Sequence, residues 1–126
     1  MPDRPSCLLI VEDQIDIRRF IRMTLEMTDH TLHEAEDGLQ ALAALRALRP
    51  DLVLLDVMLP GEIDGLEVCR RLRADPELAH TRVLMLSARG LPADLAAARQ
   101  AGADACLVKP CSPIDLLDQI EAMLPS

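Results

Sequence analysis

Short apolar blocks alternate with amphipathic stretches along the whole chain. The blocks are Cys7–Val11 (CLLIV), Thr31–Ala35 (TLHEA), residues 52–55 (LVLL), residues 83–86 (VLML) and Ala105–Val108 (ACLV). Each has the length of a strand, and runs that are apolar throughout fit strands buried on both faces of a sheet. Thr31–Ala35 is the weakest of the five, because His33 and Glu34 interrupt it. Between the blocks the spacing is helical. Residues 15–27 place Ile17, Phe20, Ile21, Thr24 and Leu25 on one side, with Arg18, Arg19, Arg22 and Glu26 elsewhere. Residues 38–49 are rich in Ala and Leu, with Asp37 as N-cap and Pro50 as terminator. A third helix spans residues 66–75 and buries Leu66, Cys69 and Leu72. A fourth is opened by Pro92 and closed by Gly102. Ser112, Pro113 and Asp115 start the last, 113–124, with Ile114, Leu117, Ile120, Met123 and Leu124 facing inward.

Five βα units of this kind predict a parallel sheet covered by helices on both faces, since right-handed crossovers leave few other solutions. The polar strand ends then share one edge. Ligands of such sheets bind outside the carboxyl ends of the strands, where strand order reverses.

A chain of 126 residues, half of them hydrophobic, makes one domain (1–126, with 1–6 as an N-terminal tail) and a packed core. Phe20 is the sole aromatic residue, so the core is aliphatic and base-stacking surfaces are excluded. Thirteen Lys and Arg against 21 Asp and Glu give a net charge of −8, which repels nucleic acid. Arg70, Arg71 and Arg73 are read as a solvated helix face, and Met23, Met27, Met58, Met85 and Met123 as core filling. His30 and His33 flank a strand and are read as surface residues. Cys7, Cys69, Cys106 and Cys111 show neither CxxC spacing nor a neighbouring His, so reduced thiols are expected. With no signal peptide and only strand-sized apolar runs, the expectation is a soluble cytoplasmic protein without membrane or nucleic-acid partners.

The residues that leave the core at the shared edge carry the chemistry: Glu12 and Asp13 after the first strand, Asp56 after the third, Ser87 after the fourth, Lys109 after the fifth. Asp56 alone could simply cap a turn from a solvated loop. If the first and third strands are neighbours, however, three carboxylates converge, and two charges ~4 Å apart repel by about 4 kcal/mol at an effective dielectric of about 20. A cation is required. Hard oxygen ligands with room for water suit Mg²⁺. A metal, an ammonium and a hydroxyl around one carboxylate suit phosphoryl transfer to it, with Asp56 as nucleophile, Lys109 spreading charge and Ser87 donating to a phosphoryl oxygen.

The segments LLIVED, HEAEDGLQAL, LVLLDVMLP, DGLEVCRRLR, VLMLSAR and AGADACLVKP resemble the receiver domain of two-component response regulators, of the stand-alone type seen in the chemotaxis response regulator. The resemblance implies a flavodoxin-like doubly wound (βα)5 three-layer sandwich with parallel strand order 2-1-3-4-5. It implies Asp56 as phosphoacceptor, with Glu12 and Asp13 as the acidic pair at a Mg²⁺ site. Met58 offers that metal its backbone carbonyl, and Asp13 is the closer carboxylate ligand because Glu12 is longer than the commoner Asp. Ser87 corresponds to the switch hydroxyl and Lys109 to the phosphoryl-binding lysine; Pro110 is expected after a cis peptide bond. The implied partners are a sensor histidine kinase or phosphotransfer protein and a downstream protein target. The only reactions expected are the domain's own phosphorylation and dephosphorylation.

The chain departs from the family pattern where Cys106 replaces an aromatic residue, where Cys111 replaces Phe, and in one extra residue between Pro60 and the Asp64, Gly65 pair. The two cysteines suggest weaker coupling between site and surface, and they invite a redox reading against the commoner one of apolar filling. Arg89 is expected in solvent, able to influence access of hydrolytic water. Two alternatives remain. A flavodoxin-like cofactor binder is disfavoured by Glu12 and Asp13 where a phosphate loop would stand. A receiver-like interaction module that is never phosphorylated is disfavoured by the complete site set.

Overall fold

The computed structural model describes residues 6–109 and 111–124. Five parallel strands, β1 (Cys7–Val11), β2 (Thr31–Ala35), β3 (Leu52–Asp56), β4 (Arg82–Ser87) and β5 (Ala105–Val108), form one sheet in the order β2-β1-β3-β4-β5. Five helices connect them: α1 (Ile15–Leu25), α2 (Gly38–Leu48), α3 (Gly65–Ala74), α4 (Pro92–Ala101) and α5 (Pro113–Met123). A 3-10 turn, Pro76–Leu78, follows α3 and was not anticipated. The expected fold class and strand order are observed.

Alternation of side chains along the strands builds the three layers. Leu9, Val11, Val53, Leu55, Val83 and Met85 face a core closed by α2, α3 and α4. Leu8, Ile10, Leu52, Leu54, Leu84 and Leu86 face the opposite core, closed by α1 and α5. β3, at the centre, is buried at all five positions. The helix signals act as read: Asp37 accepts from the Gln40 N–H, Ser112 accepts from the Asp115 N–H, and Gly102 closes α4 at φ 107°. α1 stops at Leu25, two residues short of the expected end, and the Arg49 at the end of α2 adopts φ 47° before Pro50.

Several side-chain expectations fail. Phe20 is 42% exposed, because the buried side of α1 is centred on Ile21, Thr24 and Leu25 and position 20 lies at its margin. Ile114 is exposed in the first turn of α5, as are Met23 on the outer side of α1, Met27 in the turn after it and Met58 in the loop after β3; Met85 alone of the five methionines is fully buried. Arg73 is not solvated. Its guanidinium donates to the Gly102 carbonyl (2.8 Å) and the Thr81 carbonyl (2.8 Å) and pairs with Asp104 (2.5 Å), tying α3 to the end of α4 and the start of β4. His30 is half-buried, and its Nδ1 accepts the Ser6 N–H at 3.2 Å. The expected cis bond before Pro110 lies outside the described residues.

Candidate functional site

Register determines which side chains meet at the carboxyl rim. Val11 pairs with Leu55, so Glu12 and Asp56 leave β1 and β3 side by side. Asp56 pairs with Leu86, which puts Ser87 one step beyond it on β4. Ser87 pairs with Val108, and its carbonyl accepts the Lys109 N–H at 2.7 Å.

Glu12 has no exposed surface and Asp56 is 3% exposed. The Lys109 Nζ donates to Glu12 Oε1 at 2.9 Å and stands 3.4 Å from Asp56 Oδ2. The second oxygen of Glu12 accepts the Gln14 N–H at 3.1 Å, and Asp56 Oδ1 accepts the Met58 N–H at 3.1 Å. Arg18, missed by sequence reasoning, donates to the Glu12 carbonyl at 2.8 Å while pairing with Glu34. Burial pushes the Glu12 carboxyl above its usual range; the bonds from Lys109 and Gln14 oppose this, and the charge of Asp56 adds to it. For Lys109, burial acts downward, but the bond it donates to Glu12 and the charges of Asp56 and Glu12 outweigh it and hold the ammonium above its ordinary pKa.

Asp13 is exposed beside this buried pair, and one oxygen each of Glu12, Asp13 and Asp56 lie within 4.8 Å of one another. Three hard oxygens, one in contact with solvent, fit a small divalent cation better than a soft one. Ser87 is buried, but its hydroxyl faces away from this cluster in bonding terms: it donates to the Arg89 carbonyl at 2.5 Å and accepts the Arg89 N–H at 3.2 Å. The Arg89 side chain is 71% exposed and reaches Asp94 at 3.2 Å.

Cys106 and Cys111 are half-buried, and desolvation raises both thiols above their ordinary pKa. Reactive cysteines are held as thiolates by nearby cations, so these surroundings favour inert thiols over a redox pair. Cys111 instead lines a groove of ≈ 490 Å³ with Ile17, Phe20, Ile21 and Lys109. The close approach of Gly65 to Asp56 also went unread, although a glycine directly after an N-cap was a visible signal.

A doubly wound parallel sheet with buried carboxylates and a lysine at its switch point defines a class of small signalling and binding domains. The family assignment is narrower: residues 8–121 match the response regulator receiver domain, and the chain belongs to that family. It is 41% identical to the transcriptional regulatory protein ResD of Bacillus subtilis over 93% of this chain and 47% of ResD. It is 39% identical to the phosphate regulon transcriptional regulatory protein PhoB of Pseudomonas aeruginosa over 93% of this chain and 51% of PhoB. The chain thus spans about half the length of these curated relatives. Among solved structures it superposes on the chemotaxis response regulator CheY4 of Vibrio cholerae with TM-score 0.90 and 30% identity, covering 96% of this chain and 100% of that one. A response regulator from Chloroflexus aurantiacus gives TM-score 0.90 and 32% identity over 95% and 98% of the two chains. Among the described residues no helix is long and apolar enough to cross a membrane.

Proposed function

We propose that this receiver accepts a phosphoryl group on Asp56 from the phosphohistidine of a sensor kinase or phosphotransfer protein and signals to a protein target. The observation that carries the reading is the position of the Lys109 Nζ, 2.9 Å from Glu12 and 3.4 Å from Asp56 beside the exposed Asp13 carboxylate. An Asp56 oxygen attacks phosphorus; a P–O bond forms as the P–N bond breaks, and the imidazole leaves with the electron pair and regains a proton from solvent. A carboxylate nucleophile needs no separate base to activate it. Lys109 follows the charge that builds on the phosphoryl oxygens, and Ser87 gives its hydroxyl hydrogen to one of them, leaving the Arg89 carbonyl. Mg²⁺ held by Asp13, Asp56 and the Met58 carbonyl, with Glu12 behind them, would neutralise charge at the same oxygens. The product carries roughly −1.5 to −2 where −1 stood before, enough to bias a loop with two arrangements.

The test is incubation with acetyl phosphate and Mg²⁺ followed by intact mass. Wild type is expected to gain one phosphoryl group and Asp56→Asn none. Wild type of unchanged mass with both acetyl phosphate and a phosphohistidine donor would favour the unphosphorylated interaction module, in which Cys106 and Cys111 replace the family's aromatic residues.

A further inference from the structure

Helix α3 begins directly against the backbone of the residue that bears the reacting carboxylate. A Cβ placed on Gly65, its first residue, would lie 2.0 Å from the Asp56 carbonyl oxygen and 2.9 Å from both the Asp56 carbonyl carbon and the Val57 Cα. These are backbone atoms and cannot swing aside. The contact is also pinned: the Gly65 N–H donates to the Val57 carbonyl at 3.0 Å, and Asp64 caps the helix by accepting the Glu67 N–H at 2.9 Å. Gly61 and Gly102 are the glycines with positive φ; Gly65 is not among them, so here glycine is required for space and not for backbone conformation. On its other side, the same stretch is held by the Val57 N–H on the Leu86 carbonyl at 3.0 Å and the Met58 N–H on Asp56 Oδ1 at 3.1 Å.

We propose that Gly65 is a positioning residue for Asp56: its missing side chain lets α3 rest on the Asp56–Val57 peptide and so sets where the carboxylate stands relative to Lys109. The inference rests on Asp56 being the phosphoacceptor. Non-bonded carbon and oxygen atoms need well over 3 Å, so a methyl group at position 65 must push this peptide by about 1 Å, a misplacement that costs roughly a hundredfold in rate.

Gly38 supplies the control. A Cβ there would meet Ile63, at 2.5 Å from its Cγ1, 2.9 Å from its carbonyl oxygen and 3.0 Å from its Cδ1, and its three nearest neighbours are all atoms of Ile63 rather than of Asp56. Gly65→Ala and Gly38→Ala are compared by thermal melting, by the maximal rate of phosphorylation with acetyl phosphate and Mg²⁺, and by protection of the Met58 amide from hydrogen exchange. Both variants are expected to melt lower than wild type. Only Gly65→Ala is expected to lose roughly ten- to a hundredfold in maximal rate and to lose Met58 protection. A folded Gly65→Ala with the rate and Met58 protection of Gly38→Ala overturns the proposal. Should Gly65→Ala fail to fold, Asp64→Ala releases the cap while keeping the glycine; a smaller loss in the same two readouts is expected, and wild-type values overturn the proposal. If wild type itself takes no phosphoryl group, the reading of Asp56 fails, and Met58 protection alone decides whether Gly65 places that backbone.

Discussion

The two halves of the carboxyl rim are built to different standards. On one side, Glu12, Asp56 and Lys109 are buried or nearly so, and each is bonded to another member or to a neighbouring backbone amide. On the other, among the described residues the Ser87 hydroxyl is bonded only to the backbone of Arg89, α4 begins at Pro92 with no side-chain cap from Leu91, and Asp94 keeps one buried oxygen without a partner. The reaction proposed at Asp56 needs charges already in place, which this bonded corner supplies. Response needs a segment of low local stability, which the β4–α4 loop supplies.

The largest expected effect comes from opening the rigid half. Lys109→Met leaves Glu12 buried without its cation and should lower stability by about 3 kcal/mol, read from urea unfolding in metal-free buffer. The pH dependence distinguishes this from a packing defect. Lys109 has a folded pKa above 10.5, so its contribution is complete below 10.5 and is lost as pH rises through the folded value. Glu12 is also raised, from 4.5; its contribution is complete below 4.5 and lost as pH rises through its folded value. Without Lys109 the Glu12 value rises further. The stability gap between wild type and Lys109→Met should therefore narrow as pH falls from neutrality toward 4.5; a constant gap would mean that the ion pair is not its source.

Much of the rigid half was legible in the sequence, because each of its residues directly follows an apolar block and parallel strands deliver their ends to one edge. Glu12, Asp13, Asp56 and Lys109 could be placed on one edge by topology, and together once the first and third strands are taken as neighbours. Arg73 could not. Its partners Thr81, Gly102 and Asp104 lie on other elements, and helical spacing says only that a side chain leaves the helix, not what it finds. Phe20 and Ile114 failed for a related reason: periodicity gives the direction of a face but not how far the neighbouring layer extends to cover it. Gly65 stands directly after the N-cap Asp64, but that position marks a helix start and does not say which backbone the helix rests on.

Arg73 permits a second, smaller break. Its bond to the Gly102 carbonyl holds the C-terminal end of α4, and its bonds to Thr81 and Asp104 tie that end to the starts of β4 and β5, whereas the N-terminal end is held through Arg89 and Asp94. Arg73→Ala removes bonds to two buried-side carbonyls and a carboxylate, and should cost about 2 kcal/mol in urea unfolding while the phosphorylation rate of Asp56 stays at the wild-type value. A slowed phosphorylation in folded protein would show that the end of α4 is coupled to the rigid half, and the two halves would no longer be separable.

The smallest effect tests the loose half directly. Arg89 presents an exposed guanidinium two residues after the hydroxyl proposed to turn toward the phosphoryl group, and its only side-chain tie among the described residues is the pair with Asp94. Exposed pairs contribute little, so Arg89→Ala should move stability by no more than about 0.5 kcal/mol. Its backbone bonds to Ser87 do not depend on the side chain, so capture of the phosphoryl group should proceed at the wild-type rate. Loss of the phosphoryl group is different, because a water molecule must reach phosphorus from solvent, and the exposed Arg89 guanidinium lies two residues after Ser87. Following radiolabelled phosphoprotein after removal of donor should show a few-fold change in dephosphorylation for Arg89→Ala. If phosphorylation changed and dephosphorylation did not, the loop would belong to the machinery that takes up the phosphoryl group, and the division between a fixed corner and a responsive one would have to be redrawn on the far side of Ser87.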